Sequence, residues 1–600
     1  MCWISSLAAT VFTLLTLPGC TAQPGVDYTV RLDRARNQIV RVEATVANPG
    51  DEAEFVLPTW RPGRYGILDF AADVRIWDAV DQSGEALPVH KVRKNAWVVD
   101  TSGAESVTFG YDIFANELGL RTRHADDSHV FLNGSSIFVM YPPARENSQL
   151  VRFDGMPKGW KISSGMPAGS EANTLVAASY DVLVDSPIEI GTHRSIAFDV
   201  DGTPYEIAIW GECVTADDEL IEDFTKIIRA CVEIFGTVHY DRYVFLVHSA
   251  DGIGGGTEHL NSTIMQTRPS SFESESSYRG FLGLVTHEFF HTWNVKNFRP
   301  AGITPYDYDR ENYTTSLWIA EGCTSYYDDL LLARTGQRSV RNYLDSLQGS
   351  IGSVLSNPGK NFMSVEQASY DAWLKAWGPS SPDHRNTTVS IYTQGAMVTF
   401  GLDMLIRRET KGERSFDDVM RLMNERYPYT KGGYTPEQFQ QTVAEVAGTD
   451  VSDFFDRHIT GREEIPFTDL IGAVGLRLER RTSEPEPYAG LSLRDSGGKT
   501  TVSRIIDDSP AFNAGFILDD QIVSVNGKSV DSGSWDDLVD EAEPGDVIRI
   551  GMFRRGAFRE VELTIAGMVP ERYEIDYLDE PTDEQKASYE TWTGQSWPGE

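Results

Sequence analysis

The feature that most constrains this chain is the pentapeptide His287-Glu288-Phe289-Phe290-His291, which spells H-E-x-x-H. An α-helix repeats every 3.6 residues, so His287 and His291 lie on one face and can direct two imidazole nitrogens at one metal ion. Glu288 follows the first histidine, where it can take a proton from a water molecule at the metal. The pattern predicts a helix with a catalytic zinc site. The alternative is a helix with two surface histidines.

A catalytic zinc ion uses three protein ligands and keeps one position open, so a third ligand must come from elsewhere. Apolar and small residues recur at helical spacing between Ser316 and Thr335, which predicts a second helix that ends before Gly336. Glu321 lies within it among apolar, small and aromatic neighbours. A carboxylate in such surroundings is expected to be buried and to need a cation or hydrogen-bond donors. Glu321 is therefore the predicted third ligand.

A longer motif surrounds these residues. Positions 287–300 read HEFFHTWNVKNFRP and positions 317–322 read LWIAEG. Together they resemble the glycyl aminopeptidase family of zinc metallopeptidases, which are gluzincins and use a glutamate as third ligand. The resemblance covers nearly the whole mature chain and includes LPTWRPGRY at 57–65 and FANE at 114–117, which look like the family's N-terminal β domain. The family's W-N-x-K-R-x-R-P tail loses one basic residue here, at Asn297.

Two further segments are similar to related aminopeptidases. GGGTEH at 254–259 resembles their glycine-rich edge strand, whose glutamate binds the α-amine of the substrate, and this implies that role for Glu258. Glycines allow close approach of a substrate backbone, although the segment read alone is equally a flexible loop. His259 is interpreted as a core histidine and not as a ligand. Tyr392 stands in a Tyr-x-x-Gly context, which implies a hydrogen-bond donor to the oxyanion.

The chain is strongly acidic. Its 600 residues have 53 Lys and Arg against 89 Asp and Glu, a net charge of −36. Such a surface repels phosphate backbones, so nucleic-acid binding is not expected. The charge is interpreted as a solubility trait; attraction of cationic peptides is the alternative.

The first residues indicate export. Leu7 to Leu17 is an apolar run of signal-peptide length, too short to span a bilayer. The following LPGC resembles a lipobox, which would place a lipid on Cys20, and ordinary cleavage after Ala22 is the alternative. The predicted location is the periplasm, free or attached to the membrane. In an oxidising compartment Cys213 and Cys231 could pair.

The length requires several domains, and the patterns predict a multidomain α+β protein. A β-rich N-terminal domain precedes a thermolysin-like, mainly helical zinc peptidase domain and a PDZ-like β domain. The predicted boundaries are 1–22 for the signal, 23–203 for the β-rich domain, 204–470 for the catalytic domain, 471–570 for the PDZ-like domain and 571–600 for an acidic tail, expected to be loosely ordered.

The PDZ-like segment has a candidate ligand site. Ala489, Gly490 and Leu491, after Tyr488, look like the loop that binds a peptide C-terminal carboxylate in bacterial PDZ domains. The alternative is a PDZ fold that only braces the catalytic domain.

These observations predict an exported zinc aminopeptidase with one Zn²⁺ per chain that acts on peptides with a free N-terminus. The resemblance implies a preference for N-terminal Gly or Ala. One alternative is an endopeptidase with the same site and a cleft open at both ends. The other is a PDZ-based peptide-binding protein with structural zinc.

Overall fold

A computed structural model describes residues 25–378, 381, 383–481, 483–570 and 572–598. The predicted signal segment 1–22 and Cys20 lie outside the described residues. The predicted order of a β-rich domain, a mainly helical domain and a PDZ-like β domain is confirmed. Within the described part of the chain, no helix is both long and apolar enough to cross a membrane.

The N-terminal domain is built from three sheets whose neighbouring strands are mostly antiparallel. Strand Ile39–Ala47 shows why: every second residue is buried, which is the period of a strand with one face in a core. The sheet orders are β12-β10-β1-β2-β7-β4, β3-β6-β5 and β11-β13-β9-β8. The elements are β1 Asp27–Arg31, β2 Ile39–Ala47, β3 Glu52–Val56, β4 Val74–Asp81, β5 Val89–Arg93, β6 Ala96–Asp100, β7 Ser106–Phe114, β8 Arg123–Ala125, β9 His129–Leu132, β10 Gln149–Asp154, β11 Lys161–Ser164, β12 Thr174–Ala177, α1 Tyr180–Val184 and β13 Ile188–Gly191.

The catalytic domain combines a five-stranded sheet with helices. The sheet order is β14-β15-β16-β18-β17, and its central strand Tyr243–Ser249 is buried at every residue, as expected for a strand covered on both faces. The elements are β14 Arg194–Val200, β15 Thr203–Gly211, α2 Asp217–Phe235, β16 Tyr243–Ser249, β17 Gly255–Glu258, β18 Ser262–Thr267, α3 Glu275–Phe290, α4 Leu317–Arg334, α5 Val340–Ser356, α6 Val365–Tyr370, α7 Ala372–Lys375, α8 His384–Thr387, α9 Thr393–Glu409, α10 Phe416–Arg426, α11 Pro436–Ala447, α12 Ser452–Phe455 and α13 Phe467–Leu470.

The C-terminal region contains the PDZ domain and a final segment that returns to the catalytic domain. Five strands in the order β21-β22-β23-β24-β25 enclose a separate hydrophobic core. The elements are β19 Leu476–Arg481, β20 Glu486–Tyr488, β21 Leu491–Ser496, β22 Lys499–Ile505, α14 Pro510–Asn513, β23 Gln521–Val525, α15 Ser532–Glu541, β24 Val547–Arg554, β25 Ala557–Thr564, β26 Ala566–Met568, β27 Arg572–Tyr577 and α16 Asp583–Thr593.

The expectation of a loosely ordered tail is wrong. Strand β27 pairs with β19, and α16 packs on the catalytic domain. Trp592 is fully buried there and donates a hydrogen bond of 2.9 Å to the hydroxyl of Tyr326. The aromatic side chains of this acidic segment bury their apolar surface against the catalytic domain. The free energy gained from this burial outweighs the unfavourable effect of the negative charge of the segment.

The disulfide considered between Cys213 and Cys231 is not formed. Among the described residues, both of these cysteines and Cys323 are free thiols. Cys323 is buried and accepts a hydrogen bond from the hydroxyl of Thr399.

Candidate active site

The metal-ligand candidates meet at one point. His287 lies in the last turn of α3, and His291 follows that helix directly. Their Nε2 atoms are 3.2 Å apart, and Glu321 on α4 places Oε2 3.3 Å from Nε2 of His291 and 3.7 Å from Nε2 of His287. Ligand atoms around a tetrahedral zinc ion with bonds of about 2.05 Å are roughly 3.3 Å apart. The three donor atoms therefore fit a single zinc ion.

A second set of contacts orients these ligands. Nδ1 of His287 lies 3.2 Å from Asp328 Oδ2, and Nδ1 of His291 lies 2.9 Å from the backbone oxygen of Asn294. Each contact places the proton on Nδ1 and leaves Nε2 free for a metal. The Asn294 amide also donates to the backbone oxygens of residues 319 and 320 on α4. It thereby ties the histidine helix to the helix of Glu321.

Sequence reasoning missed Asp328, although a signal was present. It follows Glu321 by seven residues on the same helix, which is two helical turns and hence the same face. We expect Asp328→Asn to lower zinc affinity by about 10- to 100-fold, because the charge that supports the His287 imidazole is lost. Titration against a competing chelator measures this. Asp345→Asn, in a surface ion pair on α5, is the matched control, and unchanged affinity in Asp328→Asn would contradict the assignment.

Glu288 faces the same point from the α3 side. It is buried, and β17 passes so close that a Cβ on Gly256 would lie 2.2 Å from Glu288 Oε1. Burial raises the pKa of Glu288 to about 7, against the opposing charges of His287 and His291. Its Oε2 has no hydrogen-bond partner among the described residues. A buried carboxyl group with a pKa near neutrality and a free oxygen suits a general base.

Glu258 ends the edge strand β17, as the glycine-rich motif indicated. Its carboxylate abuts the N-terminal domain: a Cβ on Gly63 would lie 2.8 Å from both carboxylate oxygens, and Gly63 has a φ of +81°. Only glycine satisfies both conditions. Arg61 fixes the strand by donating to the Thr257 hydroxyl at 2.6 Å. Burial lowers the pKa of Arg61 to about 10, although the nearby charge of Glu258 opposes this.

Tyr392 is brought to the site by a close helix crossing. It directly precedes α9, which crosses α4 where Gly322 and Gly395 meet, since a Cβ on Gly322 would lie 2.4 Å from Gly395 Cα. The Tyr392 ring centroid is 6.3 Å from that of His287. Burial raises the pKa of Tyr392 well above its usual value, and the charge of Glu321 raises it further. The hydroxyl therefore keeps its proton and can donate it in a hydrogen bond.

The W-N-x-K tail has a structural explanation. Lys296 is fully buried and its Nζ lies 2.5 Å from Asp185 Oδ1, at the end of α1. The other oxygen of Asp185 accepts a hydrogen bond from the Leu260 backbone at 2.8 Å, and His259 Nδ1 lies 3.3 Å from Oδ1. This network fixes the chain immediately after Glu258. His259 is accordingly a buried structural histidine, as its interpretation from the sequence required.

The candidate catalytic and metal-binding side chains line one cleft with a volume of about 770 Å³: Glu258, His287, Glu288, His291, Glu321, Asp328 and Tyr392. The N-terminal domain forms one wall with Gly63, Leu120 and Arg121, and Trp377 contributes next to Tyr392. The sequence did not indicate these wall residues, because they are distant along the chain from the zinc motif.

The proposed PDZ ligand loop is packed within its own domain. The backbone oxygens of Ala489 and Gly490 accept hydrogen bonds from residues 511 and 506, and the Leu491 oxygen accepts one of 3.2 Å from the Trp535 indole. The same domain contacts the catalytic domain, where the Asn386 amide donates to the Ile505 backbone oxygen at 2.6 Å. The Asn386 contact supports a bracing role, whereas the contacts of the loop itself use its carbonyl oxygens and not the N–H groups that would receive a peptide carboxylate.

Comparison with known proteins agrees with this geometry. Residues 27–192 match the Peptidase M61 N-terminal domain, residues 280–398 match M61 glycyl aminopeptidase, and residues 487–565 match a PDZ domain. No curated protein sequence matches the chain.

Solved structures are similar as well. An aminopeptidase N family protein from Idiomarina loihiensis is 26% identical with a TM-score of 0.87, over 95% of this chain and 100% of that one. The M1 zinc metallopeptidase from Deinococcus radiodurans is 13% identical with a TM-score of 0.46, over 74% of this chain and 95% of that one. Yeast LTA4 hydrolase is 14% identical with a TM-score of 0.46, over 76% of this chain and 70% of that one.

Proposed function

We propose that this chain, which is a zinc peptidase and a member of the M61 glycyl aminopeptidase family, removes single small residues from the free N-terminus of exported peptides. One observation carries the proposal. The Glu258 carboxylate lies in the same cleft as the His287, His291 and Glu321 cluster, at a place where the wall of the N-terminal domain closes on it. A cationic α-amine held there presents the first peptide bond to the zinc site.

The backbone of Gly63 supports removal of a terminal residue over internal cleavage. Because Gly63 lies against both oxygens of Glu258, the N-terminal domain occupies space beside the proposed amine-binding carboxylate, where an endopeptidase would need room for further residues. An endopeptidase needs a cleft that accepts the chain on both sides of the scissile bond. The proximity of this wall also favours a small first residue, in line with the preference that the resemblance implies.

The chain's own groups divide the remaining work. Zinc held by the two histidines and Glu321 would polarise the scissile carbonyl and make water more acidic. Glu288 would take a proton from the attacking water and deliver it to the leaving amine. Tyr392 would donate a hydrogen bond to the oxygen that becomes negative, a preorganised contribution that costs no reorganisation during the reaction.

The test uses the purified protein and four anilide substrates. Zinc-dependent release from Gly- and Ala-anilides, slower release from Leu-anilide and none from N-acetyl-Ala-anilide are the expected results. Equal cleavage of the acetylated substrate would favour the endopeptidase, and no cleavage with zinc bound would favour the peptide-binding alternative.

Tyr392→Phe is expected to lower kcat about 10²- to 10³-fold, because one preorganised oxyanion donor is lost, while KM changes little. Steady-state kinetics on Ala-anilide measure both constants. Tyr370→Phe, at a tyrosine that is 49% exposed, controls for loss of a hydroxyl. A Tyr392→Phe enzyme with the normal kcat would remove this residue from the mechanism.

Export is proposed from residues 1–22 alone. Mass spectrometry of the N-terminus from a membrane and a soluble fraction distinguishes a lipid on Cys20 from cleavage after Ala22. A cytoplasmic protein that keeps Met1 would contradict export.

A further inference from the structure

The wall of the cleft that faces Glu258 carries an unpaired positive charge. Arg121 lines the cleft, and its side chain has no ion pair or hydrogen bond within the described chain. Two other arginines of the same cleft do have partners, since Arg279 binds Glu275 and Arg338 binds Asp329. The carboxylates of Glu117 and Glu258 are near enough to act on the charge of Arg121, but neither forms an ion pair or a hydrogen bond with it among the described residues.

The charge of a second arginine of the N-terminal domain acts on Arg121. Arg64 follows Gly63 in the turn that abuts Glu258, its Nε is buried without a partner among the described residues, and it exerts the largest charge effect on Arg121. Burial lowers the pKa of Arg121, and the charge of Arg64 lowers it further. Two half-buried cations repel each other, and an anion between them would remove this repulsion.

The loop that carries Arg121 is firmly held over the substrate strand. Asn133 is buried, and its side-chain amide donates a hydrogen bond to the backbone oxygen of Leu120. Its backbone N–H donates a second hydrogen bond to the backbone oxygen of Thr122, so the residues on both sides of Arg121 are fixed. A methyl carbon of Leu120 lies 3.3 Å from the Cβ position of Gly255 on β17. The backbone that carries Arg121 is therefore held beside β17, the strand that would bind the substrate backbone.

We infer that Arg121, assisted by Arg64, binds a carboxylate of the substrate while Glu258 binds its α-amine. The inference rests on the proposed aminopeptidase function and specifies its substrate class: short zwitterionic peptides. The expected source is the C-terminus of a dipeptide whose first residue is small. The side chain of an N-terminal acidic residue, which a preference for Gly or Ala disfavours, is the alternative that the probes distinguish. Either carboxylate is only a few bonds from the α-amine of its peptide. This short separation is needed because Glu258 and Arg121 line the same cleft.

Binding is measured with the zinc-loaded Glu288→Gln protein, so that no probe is consumed. Calorimetry compares Ala-Gly with Ala-Gly amide, and Asp-Gly amide with Asn-Gly amide. In at least one pair, we expect the carboxylate probe to bind about tenfold to a hundredfold tighter, as a charge-assisted hydrogen bond allows. The pair that shows the preference identifies the source of the carboxylate.

When Arg121→Gln is added to this protein, the two probes of the preferred pair should bind with equal affinity. The affinity for the neutral probe should stay within about threefold of its value in the parent protein. Arg121→Lys should restore part of the preference, and Arg64→Gln should reduce it. Arg75→Gln, at an exposed arginine of the same domain, should change nothing. Melting temperatures show whether each variant is folded.

Equal affinities within both pairs in the parent protein would overturn the inference. So would a preference that survives Arg121→Gln. Failure of the unmodified enzyme to release alanine from Ala-Gly amide is a separate result, which would contradict the aminopeptidase proposal whatever the calorimetry shows.

Discussion

Replacement of Glu288 by glutamine is expected to lower kcat by about 10² to 10⁴ while zinc binding is retained. Glutamine has the same shape but accepts no proton at neutral pH. Glu288 lies against Gly256 and lines the cleft, so glutamine would occupy the same position without supplying a base. Glu288 supplies none of the three donor atoms that surround the metal position, so we expect the zinc content to be unaffected.

Kinetics on Ala-anilide together with metal analysis of the same sample test this result. The melting temperature should be unchanged or slightly higher, because a buried carboxyl group becomes neutral. Glu275→Gln on the same helix, at a side chain that is 88% exposed, is the matched control. A Glu288→Gln enzyme with full zinc and near-normal kcat would refute the role of this residue as the base.

Replacement of Glu258 by glutamine is expected to lower kcat/KM on Ala-anilide by about 10² to 10³. The physical reason is the loss of the charge that pairs with a desolvated ammonium group, worth roughly 2–5 kcal/mol in buried pairs. Glu258 is 6% exposed, so water compensates little for the lost charge. The ratio of kcat/KM for the free substrate to kcat/KM for the acetylated substrate should fall as well, because discrimination between them depends on this contact.

The control for this second variant is Glu273→Gln, at an exposed carboxylate outside the cleft. Zinc content should be normal in both proteins. If Glu258→Gln cleaved Ala-anilide at the parental rate, the amine-binding role would be excluded, while the zinc chemistry would stand. The two variants thus test separate halves of the mechanism.

Local patterns predicted much of the fold. The repeat between Ser316 and Thr335 gave α4 to within one residue at each end. The tail failed because composition suggested disorder, whereas Trp592 is buried against Tyr326 on a distant helix.

The sequence by itself identified His287, His291 and Glu321, whose donor atoms meet at one point in the structure, and the neighbouring Glu288 that we propose as the base. Spacing of four residues puts His287 and His291 on one helix face, and this depends only on local geometry. The tertiary structure decided what surrounds them. Three features depend on contacts between distant segments. They are the cleft wall with Gly63 and Arg121, the contact of Asp328 with His287, and the position of Tyr392, which the Gly322–Gly395 crossing sets. Periodicity carries no information about such contacts, because close packing of whole elements fixes them.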